Sequence, residues 1–292
     1  MALAALATSS GYDQYGQRLC RNLRKRYEWY QFLWRTLNDT QKADYIREVR
    51  YLQTSPARNP VFQEAVTRFD EFQAYHLQQG DLIHHVGQFL PWHRYWLQLY
   101  ENALRNECGY QGRNPLNKRI LPPNIPLDEL VFPDKWRGCI HDGSFANYTV
   151  RLGPGKQITT HCVVRQIDDT YAAYLNSKAI AELMQCPTFA IFRYQLEGMP
   201  ETTNHRIHDG GHLSVGGEMS NQYSSASDRV WNWQQQNSSR LCEISGNTSF
   251  GAPPYTEVTL DFPLKMSSAI GPTIPIWQTM NIYSEYNCST YV

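Results

Sequence analysis

No window of the sequence stays apolar for the roughly 20 residues that a membrane-spanning helix needs. A bilayer is therefore not an expected partner. Neither sign of charge is in excess, since Lys plus Arg and Asp plus Glu each total 27. Without a global field, small molecules are the expected partners rather than nucleic acid or an anionic membrane. The seven cysteines, at 20, 108, 139, 162, 186, 242 and 288, form no Cys-x-x-Cys pair. That spacing argues against zinc knuckles and thioredoxin-type exchange and leaves disulfides as the expected use. No internal repeat or low-complexity tract occurs. The opening MALAALATSS has a short apolar run with no basic start, so residues 1–10 make at most a clipped signal remnant.

What is plentiful is aromatic: 19 Tyr, 8 Trp and 11 Phe in 292 residues. Side chains of that size suit a helix-rich core or a stacking pocket. With 41% hydrophobic residues the chain can bury a substantial core, read as one domain over 1–292. Five Asn-x-Ser/Thr sequons begin at Asn38, Asn147, Asn237, Asn247 and Asn287. Together with the cysteines they favour a secreted or secretory-pathway protein over a cytoplasmic one.

The stretch DLIHHVGQFLPWHRYWLQLYE, Asp81 to Glu101, organises the rest. His93, Leu97, Tyr100 and Leu104 recur at helical spacing, so His93 opens a helix and faces the core. His84 precedes Pro91 and is placed on a turn folded back on that helix. Phe62, Phe69 and His76 are seven apart, with Ala65, Val66 and Phe72 on the same face, which turns His76 inward too. One buried histidine is most simply satisfied by a backbone carbonyl. Three buried together are costly without partners, and a transition metal satisfies several neutral imidazoles at once.

A second cluster reads TNHRIHDGGHLSVGGEM. His208 and His212, one helical turn apart, can present both rings to one ion. Gly210 and Gly211 would each cost about 1 kcal/mol in a helix, so a close approach is expected there. His205, three residues earlier, is an additional candidate. Elsewhere the pattern is helical from Cys20 through Leu37, and again after a cap at Asn38 or Asp39 through Val49. Gly109 to Pro133 reads as a long irregular connection. Residues 171–184 and 188–197 return to helix, and the chain from Tyr255 on reads as short strands and turns.

HHVGQFLPWHRYWLQLYENALR resembles the first copper motif of the tyrosinase and catechol oxidase family, and HDGGHLSVGGEMS resembles the start of the second. The likeness is nearest to short fungal members. It extends to CIHDGSFANYTVRLGPG, to LEG at 196–198 and to SASDRVWNWQQQN. The resemblance implies a mainly α fold with a four-helix bundle core, long loops, few short strands and a binuclear copper site. It implies His76, His84 and His93 as ligands of the first copper, and His208 and His212 as the first two ligands of the second. It also implies oxidation of phenols or o-diphenols to o-quinones with O2 and no organic cofactor. Glu197, or else Glu201, corresponds to an acidic residue that holds a water, Glu197 being favoured by its LEG context. Asp209 stands where the family often has Asn, and could act as a base.

Two departures bear on activity. The family's third ligand of the second copper lies in a segment like DPxFxxHHxxxDR, whereas here Ser227 and Asp228 run directly into Arg229, Val230 and Trp231. The PYWDW-like element expected after Tyr110 is also replaced. A cysteine that forms a thioether with the second ligand in many fungal members is Leu82 here. Three readings follow: an active oxidase in which His205 or His161 completes the second site, an impaired descendant lacking that site, and a zinc hydrolase suggested by His208-x-x-x-His212. The last leaves His76, His84 and His93 without a role.

Overall fold

Asn38 starts the first long helix. Its side chain accepts the Gln41 N–H at 2.9 Å, and the Gln41 side chain accepts the Asn38 N–H at the same distance. This reciprocal box satisfies donors that the helix cannot, and α1 runs from Asp39 to Thr54. The computed structural model describes residues 30–31, 37–112, 137–198, 205–228, 258–280 and 290–291. Tyr30–Gln31 (β1) is not helical as its periodicity suggests, but pairs in parallel with Thr290–Tyr291 (β8). Pairing with a distant segment there overrides a weak local preference. The rest of the helix expected before Leu37 lies outside the described residues.

Thr67 caps α2, Arg68–Ile83, in a box with Asp70. The helix therefore begins later than the spacing from Phe62 suggests. Val66 is 49% exposed rather than on the inward face. The cause is a backbone pairing just upstream, where Arg68 donates to Ser55 O at 2.8 Å and Ala57 to Val66 O at 3.0 Å. Helix α3, Phe89–Cys108, starts four residues before His93 and carries Pro91 in its first turn, where a missing N–H costs nothing. Gly109, at φ +83°, ends it in the left-handed region.

Helices α1, α2 and α3 share one core. Phe72 meets the Trp96 and Tyr100 rings edge-on at 5.3 Å, and Trp96 and Tyr100 stack at 5.6 Å. Tyr45, Val49 and Leu52 of α1 are fully buried against them. Each such large side chain contributes about 2 kcal/mol or more by burial, and this fixes the two histidine-bearing helices relative to one another. Among the described residues the strands are short two-stranded pieces: β2 (Arg137–Cys139) with β5 (Val164–Gln166), β3 (Thr149–Val150) with β4 (His161–Cys162), and β6 (Pro263–Leu264) with β7 (Ile274–Pro275). Cys139 and Cys162 are joined in a disulfide, whereas Cys108 and Cys186 are free thiols.

The second half adds a 3-10 turn at Asp169–Leu175, then α4 (Ser177–Leu183), α5 (Phe189–Glu197) and α6 (Ile207–Val215), followed by the short α7 (Trp277–Met280). Gly210 lies where a Cβ would approach the Tyr174 Cβ to 2.9 Å, which is the close approach that justifies a glycine in mid-helix. Gly216, at φ +64°, closes α6 against the Gln166 carbonyl. The architecture is helix-rich with few short strands, as expected. The missing DPxFxxHHxxxDR-like segment opens the fourth bundle helix in the family. The start of that helix here would have to be rebuilt from Ser225 to Trp233, a stretch that lies mostly outside the described residues. Its first part, Ser225–Ser227, is a buried 3-10 turn. Asp228 follows, gripped by Arg165 through two hydrogen bonds of 2.6 and 2.7 Å. The connection after Gly112 also lies outside them.

Candidate metal centre

Three histidines arrive from two helices and the turn between them. His76 sits in the middle of α2, His84 is its C-cap in extended backbone, and His93 lies in the opening turns of α3. The Nδ1 of each meets a backbone carbonyl: Tyr223 O at 3.3 Å for His76, Gly80 O at 2.8 Å for His84 and Phe89 O at 2.8 Å for His93. A carbonyl at Nδ1 holds the proton there and leaves Nε2 as the ligand atom, the arrangement usual around metal-bound histidine. One ligand atom from each ring lies within 4.8 Å of the others. The ring centroids are separated by 5.1 to 5.6 Å.

Burial lowers the basicity of all three. The His76 pKa falls to about 3, and those of His84 and His93 fall well below the ordinary value. The rings are therefore neutral at ordinary pH, which is the state that binds a metal. Three neutral, carbonyl-anchored imidazoles make a borderline-soft nitrogen set that fits copper or zinc and is poorly suited to magnesium or calcium.

His208 and His212, on one face of α6, form a second group. Their Nε2 atoms are 3.2 Å apart, within reach of one ion, and His212 Nδ1 is anchored on Met219 O at 2.6 Å. Burial brings the His212 pKa down to about 4, with the Met219 carbonyl and Asp209 opposing. The two groups face each other across Phe89, whose ring centroid lies 4.7 Å from that of His93 and 4.8 Å from that of His208. His212 is near enough to depress the pKa of His76 and His84 further, after burial itself. Phe89 escapes a reading based on histidines alone, although its place four residues before His93 puts it on the same helix face.

The other candidates are arranged differently. Glu197 is fully buried and grips the turn after His84: its Oε2 accepts the His85 N–H at 2.8 Å, while Arg193 donates to its Oε1 at 3.1 Å. His85, at φ +57°, is one of two non-glycine residues with positive φ among the described residues. Burial raises the Glu197 pKa to about 7, against the opposing pull of Arg193. Arg193 was not anticipated, though its i,i+4 spacing to Glu197 is a legible signal. Asp209 is a first-turn carboxylate of α6, accepting the Arg206 and Gly210 N–H groups through Oδ1 and pairing with His205 Nδ1 at 2.8 Å through Oδ2.

His205 and His161 do not complete the second group. His205 Nδ1 belongs to Asp209, and its ring is flanked by Tyr171 and Tyr174 at 5.1 and 5.9 Å. His161 Nε2 is taken by Glu218 at 2.8 Å, and its Nδ1 by Thr159. Among the described residues, His76, His84 and His93 alone form a ligand group of three. Glu201 lies outside the described residues.

The common central domain of tyrosinase matches residues 66–232, more than half of the chain and the span that holds both histidine groups. The chain belongs to the tyrosinase family. The N-acetyl-6-hydroxytryptophan oxidase ivoB of Emericella nidulans is 27% identical over 332 aligned positions, covering 88% of this chain and 90% of that protein. Tyrosinase P of Aspergillus terreus is 24% identical, with the same coverage of each. Among solved structures, a polyphenol oxidase variant from Thermothelomyces thermophila superposes with a TM-score of 0.78 at 22% identity, over 96% of this chain and 94% of that one. A functional unit of octopus hemocyanin gives 0.54 at 16% identity, covering 90% of this chain and 67% of its own. The fold of this tyrosinase-family chain is thus that of the polyphenol oxidases, and family membership implies copper binding.

Proposed function

We propose that this tyrosinase-family chain is a copper-dependent oxidase of small phenols or o-diphenols, which it converts to o-quinones with O2 as the electron acceptor. The observation that carries the reading is the convergence of three neutral, carbonyl-anchored imidazoles, His76, His84 and His93, opposite His208 and His212. The first three would hold one copper, and His208 and His212 would contribute to a second. Copper so held supplies one-electron redox chemistry and the activation of O2.

The chain's own residues supply the rest. The carbonyls of Tyr223, Gly80 and Phe89 fix each ring's tautomer. Phe89 gives the space between the groups an aromatic wall. Glu197, with a pKa near neutrality, is the candidate acid-base group nearest the His84 turn, and it also locks that turn through the His85 N–H. Asp209, with His205 behind it, is the second candidate, able to take a proton from an incoming phenol. In the net reaction two o-diphenols each give up two electrons and two protons, which together reduce one O2 to two waters. A monophenol instead takes one oxygen atom of O2 into the o-quinone, and the other leaves as water.

A second reading has its own support. The pair His208 and His212 lacks a third ligand among the described residues, and no histidine follows His212 anywhere in the sequence. An impaired oxidase with one filled site is its content. The zinc hydrolase reading is weakened because it leaves the buried group His76, His84 and His93 without a role. The deciding experiment is copper per chain after supplementation, with catechol oxidation followed in the same sample. Two coppers with turnover are expected of the oxidase; a single copper without turnover refutes it in favour of the impaired form.

A further inference from the structure

Two of the three carbonyls that hold the first histidine group belong to residues packed directly on each other. Gly80 gives its carbonyl to His84, and Tyr223 gives its carbonyl to His76. A Cβ on Gly80 would come within 2.5 Å of the Tyr223 ring, so that ring lies flush on the last turns of α2. Gln222, next to Tyr223, donates its Nε2 to the same Gly80 carbonyl at 3.1 Å. The outer end of Tyr223 is fastened too: its hydroxyl donates to Asp81 Oδ1 at 2.5 Å. Lys156 pairs with Asp81 Oδ2 and stands over the Tyr223 ring, 5.0 Å from its centroid. His93 is held otherwise, by Phe89 O on its own helix.

We propose that Tyr223, Asp81 and Lys156 form a surface clamp of positioning residues that sets the orientation of His76 and His84 but not of His93. The inference rests on the copper reading of that group. The physical argument is one of leverage. Asp81 and Lys156 have side chains 56% and 55% exposed, and an exposed ion pair adds little to global stability. Their grip on the Tyr223 hydroxyl and ring nevertheless fixes the backbone that presents one carbonyl to His76 and presses on the residue that presents another to His84. Groups behind metal-bound histidines typically change metal affinity 10- to 100-fold when removed. A clamp one step further out is expected to act at the lower end of that range.

The test uses the full chain with Asp81→Asn, Tyr223→Phe and Lys156→Gln, the last lying outside α2 and leaving the Tyr223 ring itself in place. Imidazole nitrogen NMR of the copper-free protein reads each tautomer directly. In the variants His76 and His84 are expected to lose their uniform Nδ1–H form, while His93 and His212, anchored on Phe89 O and Met219 O, stay unchanged. Competition for Cu(I) against a chromophoric chelator should show first-site affinity falling roughly tenfold, with a melting temperature close to that of the parent. Unchanged tautomers with parental Cu(I) affinity overturn the clamp. Changed tautomers in the variants, with a parent chain that takes up no Cu(I), leave the clamp standing and overturn the copper reading instead.

Discussion

The two histidine groups are built on different principles. The first draws ligands from the middle of α2, its C-cap and the start of α3, with His76 and His93 17 positions apart, so it exists only when the aromatic core docks one helix on the other. The second is a single turn of α6, and its two rings are neighbours by helix geometry alone. The tertiary group reaches three ligands, whereas the local one stops at two among the described residues. Local spacing places a pair at little cost. A complete site needs a contribution from elsewhere, and here that contribution would come from the segment following Asp228.

The largest expected effect comes from removing one member of the tertiary group. His93→Ala should strip copper from the first site and reduce catechol oxidation to background, because His93 is fully buried and belongs to a group of just three ligands among the described residues. His208→Ala should remove only second-site copper. Copper counted per chain in the two variants checks the asymmetry, and loss of both ions from either would mean that the groups are one cooperative unit joined through Phe89.

Next in size is the effect of completing the local group. Inserting a ten-residue, His-His-containing segment between Asp228 and Arg229 should raise diphenol oxidation sharply, because it offers His208 and His212 a third nitrogen ligand. If copper content and rate both stay where they were, the missing third ligand is not what limits the second site. Asp228 is a suitable anchor for such a graft, since Arg165 already holds it through both carboxylate oxygens.

Legibility in the sequence followed the same divide. Periodicity found the inward faces of His76 and His93 and the shared face of His208 and His212, because a helix repeats itself. It misjudged the start of α2, where Thr67 and a backbone pairing with Ser55 decide the boundary. It also read Tyr30 as helical where a strand forms. What it could not supply were partners brought from far away. The Tyr223 carbonyl on His76 and the Glu197 carboxylate on His85 are tertiary facts with no local periodic trace. The family resemblance carried the ligand set further than spacing alone, but the third ligand it implies has no counterpart in the chain.

The smallest effect concerns buried charge and separates the histidines from Glu197 by sign. Histidines with lowered pKa values, such as His76 at about 3 and His212 at about 4, bind protons more readily when unfolded. Below the ordinary value of about 6.5, the copper-free protein therefore loses stability as pH falls. Glu197 does the opposite. Its pKa rises from 4.5 to about 7, so between those values the folded chain keeps a proton that the unfolded chain has released. Its contribution is full below pH 4.5 and is lost as pH climbs through 7, at about 1.4 kcal/mol per unit and about 3 kcal/mol in all. Glu197→Gln should match the parent near pH 4.5 and exceed its stability by up to that amount at pH 8. Arg193, itself buried, limits the gain, because it would face a neutral amide. Urea unfolding of both copper-free proteins from pH 5 to 8 measures the gap directly. If the two curves stay parallel, Glu197 is ionised throughout, Arg193 prevails over burial, and this carboxylate cannot accept and release a proton near neutral pH.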